Sequence, residues 1–454
     1  MDSNKIYDIV VLGAGESGVG AALLCHAKGL SVFISDMGCI ADKYKSELDK
    51  YAIPYEENHH SENIILNAKE VVKSPGIPEK APIIQSLLEL QIPIISEIEL
   101  AGRYTDAFMI CITGSNGKTT TTMWTYHLLK KQGLDVGLAG NVGFSLARQV
   151  AYDPHRYYVI ELSSFQLDNM YDFHANIAVL LNITPDHLDR YHYQFDLYAQ
   201  AKMRIIQNQT DNDSFIYWAE DPFIARWIKE HEMPMHLFPF STQSDESVAA
   251  CTQCGGKVLS IMDNVNNEDF VIDIRELALK GPHNLQNAMA VALIGQSVGV
   301  DESVLRSALK DFVNVPHRLE PIATINQVEY INDSKATNIN STQYALQSMT
   351  KPTILILGGT DKGNDYGDIE ALVLEHAKAL IFMCKDNAKL HRAFDNKVDN
   401  IYDASSMREA VDVAHHIAQP GDTVLLSPAC ASFDLFKNYE DRGDQFRECV
   451  NALK

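Results

Sequence analysis

Short apolar runs recur along the chain, each ending in glycine or a polar cluster and most leading into a longer amphipathic stretch. Tyr7–Leu12 and Ser31–Asp36 predict strands, with an apolar helix between them that ends near Gly29. Glu70–Ile77 and Ile92–Ser96 predict further strands, and Glu97–Tyr104 a short helix. Phe108–Thr113 predicts a buried strand. A glycine-bounded turn follows, then a helix from Thr119 to about Gln132. Val136–Gly143, Tyr157–Ser164 and Ile177–Ile183 continue the pattern. Residues 211–280 read as β-rich and irregular, and a strong helix opens over Lys280–Ala288. Strands resume at Tyr330, Thr353 and Asp422. Each ends in a polar, glycine or small-residue loop, and the loops read together as one ligand-binding rim. Such alternation predicts an α/β fold with parallel sheets covered by helices.

Length adds a domain count. At 454 residues, about three domains of ~150 residues are expected. A boundary near Thr105 and a linker at Val315–Glu320 divide the chain into 1–104, 105–314 and 315–454. Composition leaves room for a sizeable core, with 46% hydrophobic and 22% charged residues. The net charge of −22 argues against non-specific binding to nucleic acid or to an anionic membrane, while leaving small anionic ligands open. No apolar run reaches the ~18 residues of a membrane span. The first residues lead straight into a strand, without the pattern of a signal peptide. Cys25, Cys111 and Cys384 sit in apolar runs, as buried thiols of a reducing cytoplasm would, so a cytoplasmic location is expected. A monomer is expected as well. Cys251-x-x-Cys254 has metal spacing but no second pair beside it, and reads as thiols of a surface hairpin.

Candidate chemistry gathers at the strand ends. In Thr113-Gly114-Ser115-Asn116-Gly117-Lys118-Thr119-Thr120, strand, glycine loop, Lys-Thr and helix form a phosphate cradle. Backbone N–H groups face the anion, Lys118 offsets its charge, and the Thr119 hydroxyl can reach Mg²⁺. The spacing departs from the standard phosphate loop because position 112 is Ile. Glu161 closes an apolar strand after that loop, where Mg²⁺ is usually held, although a structural carboxylate fits too. His187 stands at a strand's carboxyl end among carboxylates and is as readily a ligand as an ordinary histidine. Lys202 taken alone is a solvated charge. Asn284 and Asn287 lie one turn apart and either cap the helix or hydrogen-bond a base. Near the amino end, Gly13-Ala14-Gly15-Glu16-Ser17-Gly18 is a full G-x-G-x-x-G fingerprint, with Asp36 at the end of the next strand. From those residues alone NAD binding leads, and with it an oxidoreductase. Asp36 either holds a ribose hydroxyl or caps its strand.

Thr113–Thr120 is similar to the short phosphate loop of the Mur ligase family, and the family's other motifs follow in order. They are Gly140–Gly143, Glu161–Leu167, Asn182–Asp189, His283–Ala288, Pro316–Arg318 and Asn332–Asn338. The resemblance spans nearly the whole chain. It implies a Rossmann-like N-terminal domain, a central P-loop ATPase-like domain and a C-terminal Rossmann-like domain. Within the family, Leu357-Gly358-Gly359-x-x-Lys362 and Ser427–Asp434 resemble the branch that adds D-glutamate.

That resemblance implies ATP-dependent joining of D-glutamate to UDP-N-acetylmuramoyl-L-alanine through an acyl phosphate, in peptidoglycan precursor synthesis. Another amino-acid-adding member of the family is the alternative. Fingerprint and Asp36 then hold a uridine diphosphate rather than NAD, with Gly15, Glu16, Ser17, Asp36, Ser74, Asn141 and Ser163 as contacts. ATP falls to Gly114 through Thr120 together with Asn284, Asn287, Arg318 and Asp333. Two Mg²⁺ ions fall to Thr119, Glu161, His187 and Lys202, the last carbamylated; Lys118, Glu161, His187 and Lys202 form the catalytic set. D-glutamate falls to Thr337, Lys362, Ser432, Phe433 and Tyr439.

Overall fold

The structure is a computed structural model that describes residues 6–245, 247–262, 269–314, 316–361 and 363–453. Lys362 and Val315, a pocket candidate and a boundary residue, lie outside the described residues. The chain divides into two compact units, Met1–Leu277 with Gln286–Asp311, and Ala278–Leu285 with Phe312–Lys454.

The first unit opens with β1 (Ile9–Leu12), β2 (Val32–Asp36), β3 (Tyr55–Glu57), β4 (Glu70–Lys73) and β5 (Ile94–Ile95). They form a parallel sheet in the order β3-β2-β1-β4-β5. Alternate residues of β1 feed opposite faces. Val11 joins Val19 and Leu23 of the helix Glu16–Ala27, whereas Val10 and Leu12 join Ile83, Ile84 and Leu87 of the helix Pro82–Glu89. Burial on both faces explains the unbroken apolar run in the sequence.

Next come β6 (Phe108–Thr113), β7 (Val136–Gly140), β8 (Tyr157–Glu161), β9 (Ile177–Leu180), β10 (Ser214–Trp218), β11 (His236–Phe240), β12 (Ala250–Gln253), β13 (Val258–Ile261) and β14 (Phe270–Asp273). Their order is β14-β13-β12-β11-β10-β9-β6-β8-β7, so β6 lies between β8 and β9. The region expected to be β-rich and irregular also holds a helix, Pro222–Glu230. Asp221 starts it by accepting from the N–H groups of Phe223 and Ile224, and Pro222 presets the first turn. Cys251 is buried in β12, and Cys254 is exposed in the turn after it.

The helix Glu16–Ala27 packs on the helix Leu146–Tyr152 and joins these sheets. A Cβ on Gly20 would come 1.9 Å from Ser145 Oγ, so only glycine permits this approach. Glu97 is buried beside the contact, and its Oε1 accepts from Ser145 Oγ and Ala147 N, both at 2.6 Å. Burial pushes its carboxyl up to about 7.

In the second unit, β15 (Glu320–Ile325), β16 (Val328–Asn332), β17 (Thr353–Leu357), β18 (Ala377–Met383), β19 (Ile401–Ala404) and β20 (Thr423–Leu426) take the order β15-β16-β20-β17-β18-β19. Only β15 is antiparallel to its neighbour. The strands expected to share a rim, β16, β20 and β17, are adjacent. Among the described residues, no helix is long and apolar enough to cross a membrane.

Candidate active site

The phosphate loop leaves β6 at its carboxyl end. Gly114 has φ 153° and Gly117 has φ 83°, and Gly117 caps the helix Lys118–Lys131. A Cβ on Gly117 would lie 2.5 Å from Asn287 Oδ1, which also accepts from Thr121 Oγ1 at 3.1 Å. Ser115 Oγ donates to Thr184 O at 2.8 Å and accepts from Thr184 N at 2.9 Å. Asn116 N donates to Asn182 Oδ1 at 2.9 Å. The loop is thus fastened to the segment that carries His187. Thr119 and Thr120 are buried at the helix start.

Two amines meet on one carbonyl. Lys118 Nζ and Lys202 Nζ each donate to Gly114 O at 2.8 Å. Lys202 is 2% exposed. Burial, reinforced by the Lys118 charge, holds its amine well below the usual lysine range. The expectation of a solvated charge from Lys202 alone fails because the helix Phe195–Met203 turns it beneath the loop, over the Tyr198 ring.

Glu161 ends β8 with one oxygen committed, accepting from Asn141 Nδ2 at 2.7 Å. Its Oε2 is buried without a hydrogen-bond partner among the described residues. Such an orphaned anionic oxygen, with the Thr119 hydroxyl in the same unit, fits a hard divalent cation. No group of His, Cys, Asp or Glu residues among the described residues forms a ready-made metal cage. Mg²⁺ needs none where phosphates and water complete its shell. His187 has a left-handed backbone, φ 52°, with its ring edge-on to Phe165 at 5.2 Å.

Around the fingerprint, Asp36 Oδ2 accepts from Ala14 N at 2.6 Å and Oδ1 from Gly38 N at 2.7 Å. Its carboxylate fastens the glycine loop itself. Glu16 turns its carboxylate to Arg148 Nε at 2.9 Å, while Gly15 and Ser17 stand at the exposed and half-buried start of the helix. Ser74 lies against Gly13, where a Cβ would meet Ser74 Oγ at 2.5 Å. Ser163 caps the short helix Ser164–Leu167 reciprocally with Gln166. The candidate uridine diphosphate residues therefore gather along the carboxyl ends of β1, β2, β4, β7 and β8, with much of their side-chain chemistry engaged in holding loops.

In the second unit, Asp333 is buried, and desolvation pushes its carboxyl up to about 7. Ser427 Oγ and Leu319 N donate to it at 3.0 and 3.1 Å. Arg318 has a buried Nε without a hydrogen-bond partner among the described residues. Asn284 Nδ2 donates to Lys280 O at 2.8 Å. Ser432 is buried, whereas Phe433 is 71% exposed. Thr337 follows Lys335, whose amine lies over the Tyr439 ring at 5.3 Å.

One organising residue escaped the sequence. Arg442 is fully buried and donates to Ser334 Oγ and O, to Cys430 O and to Gly358 O. It ties together the loops that carry Thr337, Ser432 and the glycine pair. Nothing in Tyr439-Glu440-Asp441-Arg442 marks it apart from an exposed polar turn.

Family models match along the chain: the Mur ligase MurD-like N-terminal domain over 7–96, the Mur ligase middle domain over 112–295, and the Mur ligase glutamate ligase domain over 317–430. The chain is 65% identical over 455 residues to a UDP-N-acetylmuramoylalanine--D-glutamate ligase of Porphyromonas gingivalis, covering 100% of both chains. It is 54% identical over 446 residues to the protein of that name from Bacteroides thetaiotaomicron, covering 98% of this chain and 99% of that one. Among solved structures, UDP-N-acetylmuramate-alanine ligase MurC from Thermotoga maritima superposes with TM-score 0.62 at 19% identity, covering 99% of this chain and 100% of that one. MurF ligase from the same organism, in complex with ADP, gives 0.61 at 14%, covering 95% and 99%. These structures share the fold, and the sequence relatives extend over the full length. The chain belongs to the Mur ligase family.

Proposed function

We propose that the chain joins D-glutamate to UDP-N-acetylmuramoyl-L-alanine with consumption of ATP, a step of peptidoglycan precursor synthesis. The observation that carries this reading is the full-length 65% identity to a ligase of that name, together with a phosphate loop backed by Lys118, Lys202 and Glu161.

The alanine carboxylate attacks the γ-phosphate of ATP, giving an acyl phosphate and ADP. The D-glutamate amine attacks the acyl carbon, phosphate leaves, and the amine gives up a proton. Lys118 and the N–H groups at the start of the helix Lys118–Lys131 offset phosphate charge, which is most of what a phosphoryl transfer asks of a protein. Thr119 and Glu161 would hold Mg²⁺, which supplies further charge neutralisation at the phosphates. His187 and Lys202 would serve a second ion.

Lys202 is assigned as a carbamate. Its buried amine is biased to the neutral form, the form that adds to CO₂ with loss of a proton. The product offers anionic oxygens to Mg²⁺ and keeps one N–H for Gly114 O.

Asn287, Asn284, Arg318 and Asp333 are assigned to ATP. Gly15, Glu16, Ser17, Asp36, Ser74, Asn141 and Ser163 are assigned to the UDP-substrate, with Glu16 contributing backbone. Thr337, Lys362, Ser432, Phe433 and Tyr439 are assigned to D-glutamate. The segments 1–104, 105–314 and 315–454 are the proposed substrate, ATP and amino-acid domains of a cytoplasmic monomer.

Phosphate release from ATP, measured with each component omitted in turn, tests the reading. Release that needs both the UDP-substrate and D-glutamate supports it. Release with L-lysine or meso-diaminopimelate instead overturns the specificity, and release with neither co-substrate overturns the ligase reading.

A further inference from the structure

The loop after β4 and the segment after β9 meet at a carbonyl oxygen. Ile77 O accepts from Lys73 Nζ at 3.2 Å and from Arg190 Nη2 at 3.3 Å. Lys73 is 4% exposed. The Arg190 guanidinium lies over the Phe165 ring at 4.3 Å, and His187 meets that ring edge-on. Arg190 and His187 are the ends of one turn, in which Arg190 N donates to His187 O at 3.0 Å. The turn is further pinned by Tyr191, which stacks on Phe165 and donates to Asp168 Oδ2 at 2.8 Å.

On the other side, the loop is built into the fingerprint. Ser74 N donates to Leu12 O, Ile77 N donates to Ser74 O, and Ser74 Oγ lies so close to Gly13 that a Cβ there would clash with it. A continuous set of contacts therefore runs from the Gly13 loop through Ser74–Ile77 and Arg190 to His187. The charges along it balance, with Lys73 and Arg190 facing Asp168 and Glu79 around a cleft of about 210 Å³. A planar guanidinium both stacks on an aromatic face and donates in its own plane; an ammonium does only the second well.

We propose that Arg190 is a positioning residue that couples the Ser74–Ile77 loop to the backbone of His187, so that seating the UDP-substrate fixes the segment carrying the metal-binding histidine. The functional half of this inference rests on the ligase reading. The mechanical half does not: without Arg190 both segments, 74–77 and 188–191, lose a shared anchor and loosen.

Hydrogen–deuterium exchange of the full chain tests the coupling directly. Arg190→Gln is expected to speed exchange of the amides at 74–77 and at 188–191 by about tenfold, with the helix Lys118–Lys131 unchanged. Arg190→Lys is expected to restore 74–77 in part, because it keeps a donor for Ile77 O. Faster exchange in only one segment, or in neither, overturns the coupling. A global rise in Arg190→Gln would mark unfolding, and Arg190→Lys then decides by the same criterion. In turnover, Arg190→Gln is expected to raise KM for the UDP-substrate and the half-saturating Mg²⁺ together by about tenfold, leaving KM for D-glutamate unchanged. Equal rises in all three constants overturn the positioning role. A wild-type chain without ligase turnover overturns the ligase reading alone, and the exchange result still stands or falls by itself.

Discussion

The first unit contains two loops of one design, Gly13–Gly18 after β1 and Gly114–Lys118 after β6, each a strand, a glycine turn and a helix start. Their surroundings differ. The first is fastened by a carboxylate, Asp36 accepting from Ala14 N, with Ser74 packed against Gly13 and Glu16 drawn away to Arg148. The second has two amines on Gly114 O and the orphaned Glu161 oxygen at the end of β8. A site that only holds a diphosphate needs backbone N–H groups in a fixed shape. A site where charge migrates during reaction needs counter-charges already in place. Under the proposed function, one arrangement of strand, glycine turn and helix serves binding in one place and chemistry in the other, with the first helix capped by extended Gly15 and the second by left-handed Gly117.

The sharpest way to break this contrast is to remove the charge from the second loop. Lys118→Ala is expected to lower kcat about 10³-fold while leaving binding of the UDP-substrate, measured by calorimetry, intact. Equal loss of both would mean the loops are not functionally distinct.

The junction between the two sheets of the first unit should carry a pH signature. Glu97 keeps its proton up to about 7 in the folded chain, against 4.5 for an unperturbed glutamate. Between those values the folded state binds more protons than the unfolded one, so this residue's contribution is full below 4.5 and is lost as pH rises to 7. The loss is about 3 kcal/mol. Glu97→Gln keeps the acceptor for Ser145 and Ala147 and should flatten that slope in denaturant melts taken from pH 4.5 to 8. An unchanged slope would place the proton elsewhere.

Paired glycine substitutions then separate the loops by ligand. Gly13→Ala, with φ 93° and Ser74 Oγ in the way, should raise KM for the UDP-substrate about tenfold and spare ATP. Gly117→Ala, with φ 83° and Asn287 Oδ1 in the way, should do the reverse by about as much. The same ligand affected by both would merge the two sites. The smallest expected effect is at Cys254, exposed and apart from these loops. Cys254→Ser should leave turnover and melting temperature within error, and a shift on adding a chelator would revive a metal role.

What the sequence made legible follows from which signals are local. Both glycine loops announced themselves because a tight turn beside a phosphate requires glycine at fixed offsets, and the parallel strands because burial on both faces removes alternation. Asp221-Pro222 did signal a helix start, but the many Asn and Asp residues around it favoured an irregular reading of 211–280. Lys202, Arg190, Lys73 and Arg442 were illegible as structural groups. A lysine or arginine in a polar stretch looks solvated, and only long-range packing turns Lys202 beneath Gly114 or Arg442 into the ring of Ser334, Gly358 and Cys430 carbonyls. Asp36 could be read as ribose ligand or cap, and its bond from Gly38 N gives it the second task whatever it does in the first.

The central claim is that the Lys118 loop transfers phosphate to a carboxylate. UDP-N-acetylmuramoyl-L-alanine labelled with ¹⁸O in the alanine carboxylate, turned over with ATP and D-glutamate, tests it most directly by mass analysis of the released phosphate. Phosphate carrying one ¹⁸O atom is the expected result, since an acyl phosphate leaves with a carboxylate oxygen. Unlabelled phosphate would mean that water, not the substrate carboxylate, takes the γ-phosphoryl group, and would contradict the account.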